Sequence, residues 1–274
     1  MSRLMSGACI IIPARYASQR YPGKPLVTLR GAGGVARSLL ERTVMAARRA
    51  AETVALSGIH VATDDARIAE EAGRIGVSVI MTGSECANGT ERVAQAVERA
   101  GITAEIIVNL QGDAPLTPPH FIAALVQAMH ARPACQVATP ILRCSHEALE
   151  NFLADRRAGR VGATTVVRDQ QGNALYFSKE VIPHVSAPLD PAAAVPVFHH
   201  VGLYAYRQPA LRSYGAVGAT ELERAEGLEQ LRFLETGQKI AAVEVEGQGA
   251  AFWELNNPTD VALIERYLAR MGME

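Results

Sequence analysis

Between Pro13 and Leu26 the chain sets Arg15, Arg20 and Lys24 within ten residues, along a stretch that also holds Pro13, Pro22, Gly23 and Pro25. Guanidinium and ammonium groups at this density are suited to a polyphosphate, and a glycine among them lets the main chain approach an anion closely. A solvated basic loop would have the same charges. What favours the phosphate reading is position: the loop follows the apolar run Ala8–Ile12, and parallel sheets place ligands beyond the carboxyl ends of such strands. A second group stands at Asp113, where the apolar stretch Glu105–Leu110 runs into Gln111-Gly112-Asp113-Ala114-Pro115. A carboxylate there could hold Mg²⁺, which is commonly bound by one or two carboxylates together with waters and substrate phosphates. It could equally cap the helix that begins near Pro118. Two phosphate-compatible features on one sheet edge favour the first role.

The elements that must carry these groups follow from periodicity. Ala8–Ile12, Gly58–Ala62, Val77–Met81, Glu105–Leu110 and Val137–Ile141 are short apolar runs with β-branched residues, suited to buried strands. Helical spacing fills the intervals at about 35–54, 65–75, 89–100 and 118–131. This alternation predicts a largely parallel sheet covered on both faces. Further on, Gly162–Arg168 and Ala174–Phe177 flank the turn signal Asp169-Gln170-Gln171-Gly172-Asn173 and read as a β-hairpin. The Ala- and Pro-rich stretch Ser186–Pro196 reads as a loop, and Gly31-Ala32-Gly33-Gly34 as a connector. A strand over His200–Tyr206, a helix over Glu221–Glu235, a strand over Ile240–Val245 and a helix over Thr259–Met271 complete the pattern. Tyr204 and Tyr206 share a strand face, which could pack in the core or across an interface.

Among 274 residues, 27 Lys plus Arg oppose 28 Asp plus Glu, and 49% are apolar. A near-neutral chain of this kind buries a large core and gives no support for binding the nucleic-acid backbone. Cys9, Cys86, Cys135 and Cys144 form no CxxC pair and no metal-site spacing with the histidines, so they read as reduced thiols of a cytoplasmic protein. The run from Ala8 stops at Pro13, far short of a membrane span, and what precedes it does not make a convincing signal peptide. Neither GxxxxGK[ST] nor GxGxxG occurs in the basic loop, which argues against a P-loop and against a dinucleotide-dependent oxidoreductase.

IIPARYASQRYPGKPL, VATDDARIAEEAG, NGTERVAQA, VNLQGDAP, ALYFSKEVIP, HHVGLYAYR and LEQLRFLETGQKI occur in this order. With these segments the chain resembles the 3-deoxy-manno-octulosonate cytidylyltransferases, or CMP-Kdo synthetases, from about Ile10 to Leu268. The resemblance implies one three-layer αβα nucleotidyltransferase domain, Rossmann-like, with a mixed, mostly parallel sheet and a β-hairpin dimerisation region. Residues 1–135 would form the nucleotide-binding part and 136–274 the part for sugar acid and dimerisation. It also implies Mg²⁺-dependent transfer of CMP from CTP to a 3-deoxy-2-keto sugar acid such as Kdo with release of pyrophosphate, by a cytoplasmic homodimer serving lipopolysaccharide biosynthesis. Carried over by position, Arg15, Lys24 and Asp113 would be catalytic. Ala14, Arg20, Thr63, Asn88, Gly89, Arg92 and Gln111 would complete the nucleotide site. Sugar-acid contacts would come from Gln111, Lys179, His200, Tyr204, Glu226 and Gln230. Glu226 and Gln230, four apart on the predicted helix, would share a face. His200 could equally be a satisfied strand histidine.

Departures from the family pattern fall on the metal and acceptor side. QGDEP becomes QGDAP at Ala114, and the aspartate expected in a VDTPEDL motif is Asn256. An amide oxygen can ligate a metal but lacks the charge. Glu254 could supply that charge, since on a strand residues 254 and 256 project to one side. The metal set implied is therefore Asp113, Asn256 and Glu254. Thr165 stands where the family favours Lys, and Lys179 where it favours Arg. CTP use is thus the firmer expectation, and a modified sugar acid or a phosphonate is the alternative acceptor. A non-catalytic nucleotide-binding scaffold is the second reading, opposed by the retention of Arg15, Lys24, Gln111 and Asp113 together.

Overall fold

The computed structural model describes residues 7–18, 21–161, 163–185, 189–247, 255 and 257–274. Its frame begins with strand β1 (Ala8–Pro13), buried at every residue. Alternate side chains serve opposite layers: Ile10 and Ile12 join one core cluster with Leu40, Val44, Phe121 and Leu125, and Cys9 and Ile11 join another with Val93, Ala96 and Phe233. This double burial is why the strand reads as an unbroken apolar run.

After β1 come a 3₁₀ turn at Lys24–Leu26, the short pair β2 (Thr28–Arg30) and β3 (Ala36–Ser38), and helix α1 (Leu39–Ala50). The expected helix at 35–54 is therefore shorter at both ends. Ser38 caps α1 by accepting the Glu41 N–H at 3.0 Å, and residues 36–38 pair back onto 28–30, so the glycine-rich connector is the bend of a hairpin. The parallel half continues through β4 (Leu56–Thr63), α2 (Ala66–Arg74), β5 (Ser78–Met81), α3 (Gly89–Arg99), β6 (Ile107–Leu110), α4 (Pro119–Ala131) and β7 (Val137–Arg143).

The later half is mainly antiparallel: α5 (His146–Arg157), the hairpin β8 (Thr165–Arg168) and β9 (Ala174–Ser178), then β10 (Phe198–His200) and β11 (Leu203–Tyr206). Helices α6 (Gln208–Ala216), α7 (Glu221–Glu226) and α8 (Leu231–Glu235), strand β12 (Ile240–Glu244) and helix α9 (Asp260–Arg270) follow. The main sheet runs β5-β4-β1-β6-β11-β7-β10-β8-β9, with β12 parallel to β7. A mixed sheet with flanking helices is the expected fold class.

Two elements break where continuous ones were expected. The strand over 200–206 divides at Val201-Gly202, because β10 pairs with β8 and β7 whereas β11 crosses to β6. The helix over 221–235 divides at Gly227, whose φ of 62° is left-handed. Glu226 and Gln230 therefore do not share a helix face. Tyr204 and Tyr206 are both buried within this chain, settling their packing in the core. Among the described residues no helix is long and apolar enough to cross a membrane.

The left-handed break yields a prediction. Gly227→Ala should cost about 1–2 kcal/mol in urea unfolding, the expense of placing a Cβ in that conformation. It should also displace the Lys179 ammonium, which lies 2.8 Å from where that Cβ would stand.

Candidate active site

Strands β1 and β6 are adjacent and parallel, with Ile11 opposite Asn109, so the loops that follow them emerge side by side. Here the two sequence signals meet: Lys24 Nζ lies 2.6 Å from Asp113 Oδ2. Lys24 is carried by the 3₁₀ turn, and Asp113 by a tight turn in which the Ala114 N–H bonds to the Gln111 carbonyl at 3.2 Å. The Leu255 N–H donates to the Asp113 carbonyl at 2.9 Å, bringing a distant part of the chain to the same turn.

These groups form one wall of a cleft of about 1290 Å³. Ala14, Arg15, Lys24, Gln111 and Asp113 line it from the β1 and β6 edges, and Asn88, Gly89 and Arg92 from the start of α3. Lys179, His200, Tyr204 and Gln230 line it from the antiparallel half. Thr63 and Glu226 are not brought to its surface: Thr63 is fully buried beneath α2, and Glu226 accepts the Lys179 N–H at 2.9 Å and the Ser178 hydroxyl at 2.7 Å. Arg20, Glu254 and Asn256 lie outside the described residues.

Asn88 shows how the fold aims a side chain. As N-cap of α3 it accepts the Glu91 N–H at 2.9 Å, and its amide donates to the Tyr214 hydroxyl at 2.9 Å. Behind it, the buried Arg232 guanidinium is held by Glu223 at 2.6 Å and by Glu91 at 2.9 Å. Arg92 is similarly committed, its guanidinium 3.2 Å from Asp64 Oδ1. It therefore contributes a fixed, partly neutralised charge.

Glu229 lines the cleft and was not singled out from the sequence. Its carboxylate accepts the Gln111 amide at 3.1 Å and the Thr90 N–H at 2.9 Å, linking the β6 edge to the α7–α8 linker. Burial pushes its carboxyl above the ordinary range. Helical spacing from Glu226 reaches Glu229 at three residues as well as Gln230 at four, so the sequence did carry a signal that could have found it. The Tyr204 hydroxyl donates to the side-chain Oε1 of Gln230 at 3.1 Å, and the buried Gln230 Nε2 has no hydrogen-bond partner among the described residues. An unsatisfied donor facing a cleft is suited to a ligand oxygen.

His200 lines the cleft and is also bonded within the sheet. Its Nε2 is 3.0 Å from the Thr139 hydroxyl, which itself donates to the Leu203 carbonyl at 2.8 Å, so Nε2 is the donor and Nδ1 an acceptor. Burial holds its pKa down at about 3, so the ring is neutral throughout the physiological range. Thr165 is buried and its hydroxyl donates to the Glu180 carbonyl at 2.6 Å, closing the base of the hairpin.

Asp113 is also the one described carboxylate of the implied metal set. The residues present fit a hard cation there, since its oxygen already takes the positive Lys24 ammonium at 2.6 Å. Among the described residues no group of three or more His, Cys, Asp or Glu could hold a metal. A magnesium ion commonly completes its shell with waters and substrate phosphates.

A family profile described as cytidylyltransferase matches residues 9–240. The chain is 39% identical over 262 residues to a 3-deoxy-manno-octulosonate cytidylyltransferase of Maricaulis maris, covering 96% of this chain and 97% of the relative. It is 38% identical over 260 residues to the protein of that name from Chlamydia abortus, covering 94% and 92%. Among solved structures, a CMP:2-keto-3-deoxy-manno-octonic acid synthetase complexed with CTP superposes with a TM-score of 0.80 at 32% identity, over 97% of this chain and 100% of that one.

The buried carboxylate gives a pH signature. With Glu229 raised above its ordinary value of 4.5, the folded state binds more protons than the unfolded state above that pH. Its contribution is therefore present at low pH and lost as pH rises. Glu229→Gln removes that loss, so urea unfolding at pH 5 and pH 8 should show the variant gaining on the wild type with pH. A constant difference would contradict the assignment.

Proposed function

This chain belongs to the cytidylyltransferase family and is a nucleotidyltransferase, and on that premise we propose that its cleft transfers CMP from CTP to 3-deoxy-manno-octulosonate, releasing pyrophosphate. The supporting observation is one cleft that joins two unlike walls, Arg15, Lys24 and Asp113 on one side and Lys179, Tyr204 and Gln230 on the other. A triphosphate needs the first set and a polyhydroxy acid the second.

The C2 hydroxyl oxygen of the sugar acid loses its proton to water and forms a bond to the α-phosphorus as the bond from that phosphorus to the bridging oxygen breaks, and pyrophosphate leaves with the electron pair. In such a displacement the protein positions reactants and disperses charge. Arg15 and Lys24 neutralise the triphosphate. For Lys24 this means exchanging Asp113, its partner at 2.6 Å, for phosphate oxygens. That exchange frees the carboxylate as the ammonium is engaged. Magnesium, held by Asp113 together with substrate phosphates, would further neutralise those oxygens. Asn88 and Gly89 at the α3 N-terminus, with Gln111 and Ala14, bound the nucleoside. Lys179 pairs with the acid's carboxylate, and Gln230 Nε2, Tyr204 and Gln111 receive its hydroxyls.

We further assign the reaction to a cytoplasmic homodimer supplying lipopolysaccharide assembly. Supporting the dimer, β9 ends the sheet and exposes Leu175 at 60% on its free edge.

Four measurements test this reading. Pyrophosphate release should require CTP among the nucleoside triphosphates and Kdo among sugar acids; release with CTP and only another acceptor would correct the substrate. Lys24→Met or Arg15→Ala should lower kcat/KM for CTP on the order of a hundredfold, as for removal of one charge-stabilising donor. For the metal, Glu254→Gln should raise the Mg²⁺ concentration at half-maximal rate and Asn256→Asp should lower it. An unmoved midpoint in Glu254→Gln removes that residue from the site. Light scattering should give twice the chain mass, reduced toward one by Leu175→Lys.

A further inference from the structure

We propose that Arg67 and Tyr16 form a brace that sets the position of Lys24, making both positioning residues for triphosphate binding although neither lines the cleft. This rests on the reading that Lys24 grips CTP.

Lys24 enters its 3₁₀ turn through Gly23, at φ 70°. Two contacts from Tyr16 hold that glycine. The Tyr16 carbonyl accepts the Gly23 N–H at 2.9 Å, closing the loop on itself. The Tyr16 ring also fills the space a side chain at position 23 would take, its Cε2 lying 3.0 Å from an ideal Cβ there. The backbone immediately before Lys24 is thus pressed against an aromatic ring, and any shift of that ring is passed to the ammonium.

Arg67 fixes the ring. Its guanidinium carbon stands 3.3 Å from the Tyr16 ring centroid. A surface arginine would ordinarily wander, yet this one is clamped by Asp65, with Nε to Oδ1 at 3.0 Å and Nη2 to Oδ2 at 2.7 Å. Asp65 is anchored in turn: it caps α2 by accepting the Arg67 N–H at 2.9 Å, and its own N–H donates to the Thr63 hydroxyl at 3.2 Å. A bidentate pair fixes the plane of a guanidinium, and a fixed plane over an aromatic face holds the ring as well as attracting it. The sequence VATDDAR is thereby tied to ARY across the β4–β1 edge. Thr63 also acquires a role that needs no contact with nucleotide.

The test is CTP affinity by calorimetry without acceptor, together with steady-state kinetics, for Arg67→Ala, Arg67→Lys, Tyr16→Phe, Tyr16→Leu and the double variant Arg67→Ala/Tyr16→Leu. Arg15→Ala serves as the reference. Arg67→Ala and Tyr16→Leu should each weaken CTP binding about threefold to fivefold, raising KM for CTP with kcat held. Arg67→Lys should also weaken it, because the charge remains and the plane does not. Tyr16→Phe should match the wild type, and the double variant should bind no worse than Tyr16→Leu alone. Arg67 is 57% exposed at its side chain, so its substitutions test the brace even if Tyr16→Leu folds poorly. Wild-type affinity in Arg67→Ala beside weakened binding in Arg15→Ala would overturn the brace alone. Wild-type affinity in Arg15→Ala as well would overturn the reading of the loop beneath it.

Discussion

The adjacency of β1 and β6 is the constraint on which the site depends. A triphosphate needs several cations within a few ångströms of one another, and like charges do not gather on a surface without something to hold them. The sheet supplies that support by delivering the loops from Pro13 and Leu110 to the same edge, where Lys24 and Asp113 neutralise each other at 2.6 Å. The pair keeps the ammonium in place before ligand arrives and makes its release conditional on another anion. Both side chains are only partly exposed, at 14% and 25%, so the attraction is less screened than at an open surface.

Around that edge the fold invests buried polar groups in positioning. Arg232, exposed by 2% at its side chain, would be costly alone, and Glu223 and Glu91 compensate it within one network that also fixes Asn88 through Tyr214. Removing one member of such a network leaves a buried charge unpaired, which costs far more than the pair contributes. Glu229 extends the same arrangement to Gln111. The cleft wall around Asn88 is thus held by Glu223 and Glu229, which line it, and from behind by Arg232 and Glu91, which do not.

Much of this was legible in the residues. Doubly buried strands announce themselves as apolar runs, so β1, β4, β5, β6 and β7 were readable, as was the β8–β9 hairpin from its Asp-to-Asn turn. Less legible were elements whose existence depends on distant partners. Residues 36–38 read as helix because nothing local shows that they pair with 28–30. The division at Val201-Gly202 follows from β11 crossing to β6, a tertiary choice. α5 and α6 were not singled out at all. The site's cationic half was visible because charge density survives in one dimension. Glu229 lay within helical reach of Glu226, but its bonds to Gln111 and Thr90 join segments far apart in the chain and leave no local mark.

The two halves of the cleft are held in different ways. Lys24 and Arg15 stand on a loop whose geometry is tied to neighbouring parallel strands. Thr165 and Lys179, by contrast, belong to an antiparallel hairpin closed by its own bonds, among them the Thr165 hydroxyl to Glu180 and Glu226 to Ser178 and Lys179. Within the sheet the hairpin is separated from the β1–β6 edge by β10, β7 and β11, and a shorter route runs from Glu226 through the α7–α8 linker to Glu229 and Gln111. Distant sites with no shared partners are energetically independent. Thr165, bonded to Glu180 within the hairpin, lies off the route through Glu226, whereas the Lys179 backbone lies on it, so a change of side chain at 165 is the one more readily absorbed without moving Gln111.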